Sequence, residues 1–294
     1  MPSFDMSRSR FRLADEHVIV LSELASGNVA PDEFAAARQE LLDCGLITAE
    51  GKLSTLLLPL LRTVLTPGVV ISLETASRQG KLHHGMLIGE EHVVAHEAWP
   101  GTAESEYTCV EPKTLVWKLA EMVNLQQSPG TEGPAQDPRD KAAAAVVETT
   151  LSTVEAGLAV LEGAQVARPA EVEHEAIHRA LATTGALAEP SLTLLADLIS
   201  ELRSSWRLTS AWQTRTAAGE ATEARGFAVW DCGPLGYWLR ELPTEPVPDT
   251  RIAPSTPFRL VQVPAKTIWT HLTDLLPPQS DLRAAKTEQA AREA

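Results

Sequence analysis

Cysteine is scarce and scattered: the 294 residues hold only Cys44, Cys109 and Cys232. Three thiols so far apart cannot form a disulfide framework and point to a reducing compartment. Basic residues are also few, 25 Lys and Arg against 39 Asp and Glu, for a net charge of −14. Nucleic-acid binding and polybasic membrane attachment both draw on clustered Lys and Arg, so this balance argues against either. No apolar run approaches ~20 residues, the length that spans a bilayer. Met1 to Arg12 has basic residues but no apolar stretch behind them, and is not expected to act as a secretory signal. Gly-rich phosphate loops, Gly-x-Ser-x-Gly elbows and Cys-x-x-Cys pairs are all missing. The remaining expectation is an acidic, soluble, cytoplasmic protein, long enough for one large or two modest domains. Arg outnumbers Lys and Ala is abundant, in keeping with a GC-rich bacterial genome.

Local patterns predict helices first. Leu13 to Ser26 carries Val18, Val20, Leu21 and Leu24 before Gly27. Pro31 opens a second helix, with Asp32 and Glu33 at its positive end and Gly45 just past its end. Leu53 to Leu65 is strongly apolar, and Pro59 inside it must kink or split that helix. Gly68 to Ser77, Lys81 to Gly89, His92 to Ala98 and Tyr107 to Glu111 read as strands, joined too tightly for parallel crossovers. A helix from Pro112 to Leu125 closes a first half, residues 1–126. Residues 127–139 are rich in Pro, Gly and polar side chains and are expected to be a flexible connector. The second half, 140–277, is predicted to open with a long Ala-rich helix from Asp140 to about Gly163. Helices Glu171 to Thr183 and Ser191 to Ser204 follow, then strands Ser205 to Arg215, Arg225 to Asp231, Leu235 to Glu241 and Pro257 to Val263. Lys266 to Leu276 is the last helix, ahead of a polar tail, 278–294.

The halves repeat. Leu41…Gly45 falls on Leu181…Gly185, Leu60 on Ile199, Gly85-Met86-Leu87-Ile88 on Gly226-Phe227-Ala228-Val229, and Lys113…Leu119 on Lys266…Leu272. Their order is constant and their spacing nearly so, which is the mark of an internal duplication. The predicted fold is α+β (mixed α/β): a pseudo-twofold, duplicated helix–β-meander–helix unit with a largely antiparallel central sheet flanked by helices.

Three constellations could carry chemistry or binding. His174-Glu175-Ala176-Ile177-His178 fits the zinc-hydrolase pattern, in which two histidines share a helical face and the Glu serves as base. Leu181 stands where the longer metzincin form needs Gly, and no third ligand is evident. His83, His84, His92 and His96 cluster in the text, but residues four apart on a strand are separated by about 13 Å. The segment Pro31 to Leu53 looks like the end of a winged-helix DNA-binding unit, yet its helix carries only Arg38 as a basic residue. Aromatic residues are the third feature. Trp206, Leu208 and Trp212 share a strand face by period two. With Trp230, Tyr237 and Trp238 they are the candidate protein-binding residues, since large aromatics on an uncovered sheet make a docking platform.

The order of these features resembles the EspG family of type VII (ESX) secretion-associated chaperones of actinobacteria. The resemblance rests on Leu-Leu-Asp-Cys-Gly-Leu-Ile, Gly-Lys-Leu…Leu-Pro-Leu-Leu and Leu-Thr-Pro in the first half. In the second it rests on the Leu-Ala-x-x-Gly helix pair before Trp206 and on Leu-Val-Gln-Val-Pro…Trp…Leu-Thr-Asp-Leu-Leu-Pro. It covers roughly Leu13 to Pro277. It implies a pseudo-twofold fold, no catalytic residues, no cofactor, and a cytosolic role masking the hydrophobic tip of a helical secretion substrate, often a PE–PPE heterodimer. The alternatives are a zinc-dependent metallohydrolase using His174, Glu175 and His178, and a winged-helix DNA-binding regulator.

Overall fold

A computed structural model describes residues 1–125, 145–162, 169–216, 219–242 and 252–278. The connector 127–139 and all of the tail but Pro278 lie outside the described residues. The first half runs β1 (Ser3–Asp5), β2 (Arg10–Ala14), α1 (Asp15–Ala25), α2 (Ala35–Asp43) and α3 (Leu58–Leu65). It continues through β3 (Val69–Ser77), β4 (Gly80–Ile88), β5 (Val93–Ala98), β6 (Glu104–Val110) and α4 (Leu115–Met122). The second runs β7 (Val146–Thr150), α5 (Leu151–Glu162), α6 (Ala170–Thr183), α7 (Ser191–Ser200), β8 (Ser204–Thr216), β9 (Gly219–Asp231), β10 (Tyr237–Arg240), β11 (Pro257–Val263) and α8 (Ala265–Asp274).

Local chemistry explains the element ends. Pro59 is the second residue of α3, where a missing N–H costs nothing, so a turn of 3-10 helix from Thr55 precedes the proline and no kinked helix forms. At the start of α1 the Ala14 N–H donates to Nδ1 of buried His17, 2.9 Å away. Gly45 and Gly185 end the second helix of each half with φ of +77° and +65°, a conformation that disfavours any residue with a Cβ.

All strands join one 11-stranded sheet in the order β1-β2-β6-β5-β4-β3-β8-β9-β10-β11-β7, antiparallel throughout. That order is a palindrome about β3 and β8: β2, β6, β5, β4, β3 on one side answer β7, β11, β10, β9, β8 on the other. The axis falls where Ser72 faces Thr209, each flanked by a glycine, Gly85 on β4 and Gly226 on β9. A Cβ at Gly85 would lie 2.8 Å from the Ile71 carbonyl oxygen, and one at Gly226 the same 2.8 Å from that of Leu208. The duplication therefore extends to the packing that requires each glycine.

The expected helix from Asp140 is corrected over part of its length. Val146–Thr150 is the strand β7, because its β-branched run pairs with β11 through Val147↔Leu260 and Thr149↔Phe258. The helix begins only at Leu151, and the stretch before residue 145 is outside the described residues. The strands β1 and β2 are too short and too charged to carry a strand pattern of their own.

Side-chain alternation sorts the sheet into two faces. On one, α4 and α8 cover the centre, burying Val69, Ile71, Leu73, Met86, Trp206, Leu208, Trp212, Phe227 and Tyr237. On the other, α1–α3 cover the β2-β6-β5 end over Phe11, Leu13, Val94 and Tyr107. The helices α5–α7 cover the opposite end of that same face over Val147, Trp230, Trp238, Phe258 and Leu260. Among the described residues nothing covers the central strands between these two helical layers.

Candidate functional site

The gap between the layers is a groove floored by β4, β3, β8 and β9 and centred on the pseudo-twofold axis. Register places three rows of side chains across its floor. The first is Leu87, Val70, Ala211 and Ala224; the second, on the axis, is Gly85, Ser72, Thr209 and Gly226. The third is His83, Glu74, Arg207, Ala228 and Arg240, reaching onto β10. Val70 is 40% exposed, a large aliphatic side chain left open on the central strand. Small residues on the axis keep the floor shallow enough for another polypeptide to approach.

The groove deepens on the side of the second half into a cleft of about 280 Å³. Glu74, Ala76, Lys81, His83, Ser205, Arg207, Ala228, Trp230 and Arg240 line it. One end is held by a tie from the β3–β4 turn to α6: Arg78 Nη2 donates to Glu173 Oε1 at 2.5 Å, and Glu173 is buried. That carboxylate keeps the Arg78 guanidinium above its ordinary pKa, chiefly through the hydrogen bond. Arg240 stands over the Phe258 ring, 4.7 Å from its centroid, in cation–π contact. Partial burial, and secondarily repulsion from Arg207, pull the Arg240 guanidinium below its ordinary pKa.

The five aromatics named as candidate protein-binding residues are buried, none more than 5% exposed. Trp206, Trp212 and Tyr237 pack in the core beneath α4 and α8, and Trp230 and Trp238 in the core beneath α5–α7. Trp206 and Trp212 do share a face, as period two requires, but it is the face that helices cover. Only Trp206 and Trp230 reach the wall of the cleft. The residues that reasoning from sequence missed are Val70, Arg207 and Arg240. Arg207 alternates with buried Trp206 and Leu208, a signal that marks it as pointing away from the core.

The His-Glu-x-x-His motif lies on α6, and its ring nitrogens are engaged separately. His174 Nε2 donates to Asp197 Oδ1 at 2.8 Å, and His178 Nε2 to Glu189 Oε1 at 3.2 Å. Glu175, the would-be base, accepts from Arg179 at 2.6 Å along the helix. Among the described residues no three His, Cys, Asp or Glu side chains converge as a metal site. These contacts tie α6 to α7 and to the turn before it. His83 and His84 point to opposite faces, and the His96 ring stacks on Tyr107 with centroids 4.9 Å apart. Where a winged helix would need a hairpin, Ile47 and Leu53 make one isolated bridge. Among the described residues no helix is long and apolar enough to cross a membrane.

The helix–meander–helix pair around one continuous sheet has a counterpart among solved structures. The Mycobacterium tuberculosis type VII secretion system chaperone EspG5, solved in complex with a PE25–PPE41 dimer, aligns with a TM-score of 0.51. The alignment covers 91% of this chain and 97% of that one at 10% sequence identity, a likeness of fold. No family model and no curated protein matches the sequence.

Proposed function

We propose that this chain is a non-enzymatic chaperone or adaptor of a type VII secretion system, acting in the cytoplasm. It clasps the hydrophobic tip of a helical substrate, a PE–PPE-like pair or another hairpin protein, and keeps it soluble before export. The observation that carries this reading is the uncovered groove across the pseudo-twofold axis, in the fold of a protein that was solved holding such a dimer. Helices shield both ends of this face of the sheet, yet between them, among the described residues, Val70, Leu87, Ala211 and Ala224 form a ledge with no cover. Fully burying a Val or Leu contributes roughly 1.5–3 kcal/mol, so a few such anchors suffice for a reversible, non-covalent clasp. The acidic remainder of the surface keeps the loaded complex soluble.

The test is co-expression with helical pairs encoded beside its gene, followed by size-exclusion chromatography. A stable complex that Val70→Glu abolishes, with the variant's fold intact, is the expected outcome. A complex indifferent to Val70→Glu, or none with any such pair, refutes the assignment.

A further inference from the structure

The cleft at the second-half side of the groove holds positive charge that the fold does not use. Arg10, Arg12, Arg62, Arg78, Arg179 and Arg259 each have a carboxylate within 4.0 Å. Arg207, Arg240 and Lys81, which line the cleft, have none among the described residues. Glu74 lies opposite Arg207 in register but makes no ion pair with it. Ala228 sits between Arg207 and Arg240 on the intervening strand, so the two guanidinium groups rise from strands about 10 Å apart over a small floor residue. In a protein of net charge −14, two arginines and a lysine therefore stand together, Arg240 partly buried, with no described carboxylate within 4.0 Å. Half-burial and the nearby Arg207 weaken the charged form of Arg240 itself.

From this placement we propose that the cleft binds an acidic side chain next to the apolar tip of the helical partner, received between Arg207 and Arg240. The proposal rests on the chaperone reading and adds its specificity: the apolar ledge at Val70 and Leu87 takes the tip, and the arginine cleft fixes its orientation. An incoming carboxylate supplies the counter-ion that the described residues do not provide, and a planar guanidinium can hold it through two parallel hydrogen bonds. Neutral tips would leave the arginines desolvated and unpaired, so discrimination comes as much from rejection as from attraction.

Three helical-hairpin peptides with one apolar tip, carrying Glu, Gln or Lys beside it, provide the test by calorimetry against the full chain. The Glu hairpin is expected to bind about tenfold tighter than the Gln hairpin and the Lys hairpin more weakly still, the gap narrowing as salt is raised. In the double variant Arg207→Gln, Arg240→Gln, the three affinities should fall within about twofold of one another. Its urea midpoint should stay close to that of the parent, since removal of the repelling pair offsets the lost Arg240–Phe258 contact. Equal binding of the three hairpins by the parent, or a Glu preference that survives the double variant, overturns the proposal and leaves the chaperone reading standing. If no hairpin binds, the chaperone reading falls and this one with it.

Discussion

Gly85→Ala and Gly226→Ala test the duplication at its axis. Each added methyl would meet a strand carbonyl oxygen at 2.8 Å, and Thr209 Oγ1 lies 3.2 Å from the Gly226 site. Backbone oxygens held in a ladder cannot rotate aside, so the strands must part locally. Overpacking of this kind costs typically about 1–3 kcal/mol. Replacing Gly with Ala also restricts the unfolded chain and returns about 0.4–1 kcal/mol. The net expectation is a loss of roughly 1–2 kcal/mol for each variant, or a Tm lower by about 2–6 °C in a protein of this size. Because the two sites are equivalent under the pseudo-twofold, the losses should agree within about 0.5 kcal/mol. Being separated across β3 and β8, they should add in the double variant. Urea unfolding followed by tryptophan fluorescence measures this. A neutral Gly85→Ala beside a costly Gly226→Ala would refute the equivalence, and two neutral variants would refute the packing.

Other outcomes follow from particular contacts. Arg78→Ala leaves the buried Glu173 carboxylate without its partner; Arg78 is 58% exposed, so solvent tempers the loss to about 1–2 kcal/mol. Glu173→Gln should cost less by the same urea measurement. Burial lowers the pKa values of His84 and His96, so the unfolded chain takes up protons first as pH falls below about 6.5. Stability present above that pH should therefore decline toward pH 5, and His96→Phe should flatten the decline in urea midpoint. Burial pushes the Cys232 thiol far up, which predicts that iodoacetamide spares it in the native protein and labels it in urea. Adding zinc should leave the Tm unchanged, and His174→Asn should cost under about 1 kcal/mol; a zinc-dependent rise in Tm lost in His174→Asn would restore the metal reading.

How far the sequence reveals this molecule differs between elements. The strands β3 to β6 were legible within a few residues because their apolar alternation is strong and their partners are neighbours in the chain. Ser3–Asp5 and Arg10–Ala14 were not, since they are short and charged and owe their strand state to β6, far along the chain. Val146–Thr150 looked helical beside an alanine run, and only pairing with the distant β11 makes it a strand. The groove was invisible for a different reason. Period two says that Trp206 and Trp212 share a face but not which face α4 and α8 cover, so the sequence does not separate core aromatics from a docking surface, nor does it point to the floor from Val70 to Arg240.

The site shows what fusing two copies permits that a symmetric dimer does not. Across a strict twofold, the same residue must stand on both sides of the axis. Here register makes Val70 the counterpart of Arg207, and Val94 that of Arg240. Val94 is 1% exposed, sealed under α1–α3, whereas Arg240 lies half-open at the edge of α5–α7. The helical layer of the second half therefore does not seal the position that its first-half counterpart closes. The cleft lies where the arginines are, so charge and cavity stand together on one side of the axis. A groove apolar on one flank and cationic on the other suits a partner presented in one orientation, as the proposed role would require. Replacing Arg207 and Arg240 with valine would restore the ancestral symmetry of side chains, and should raise stability while erasing the preference for one orientation.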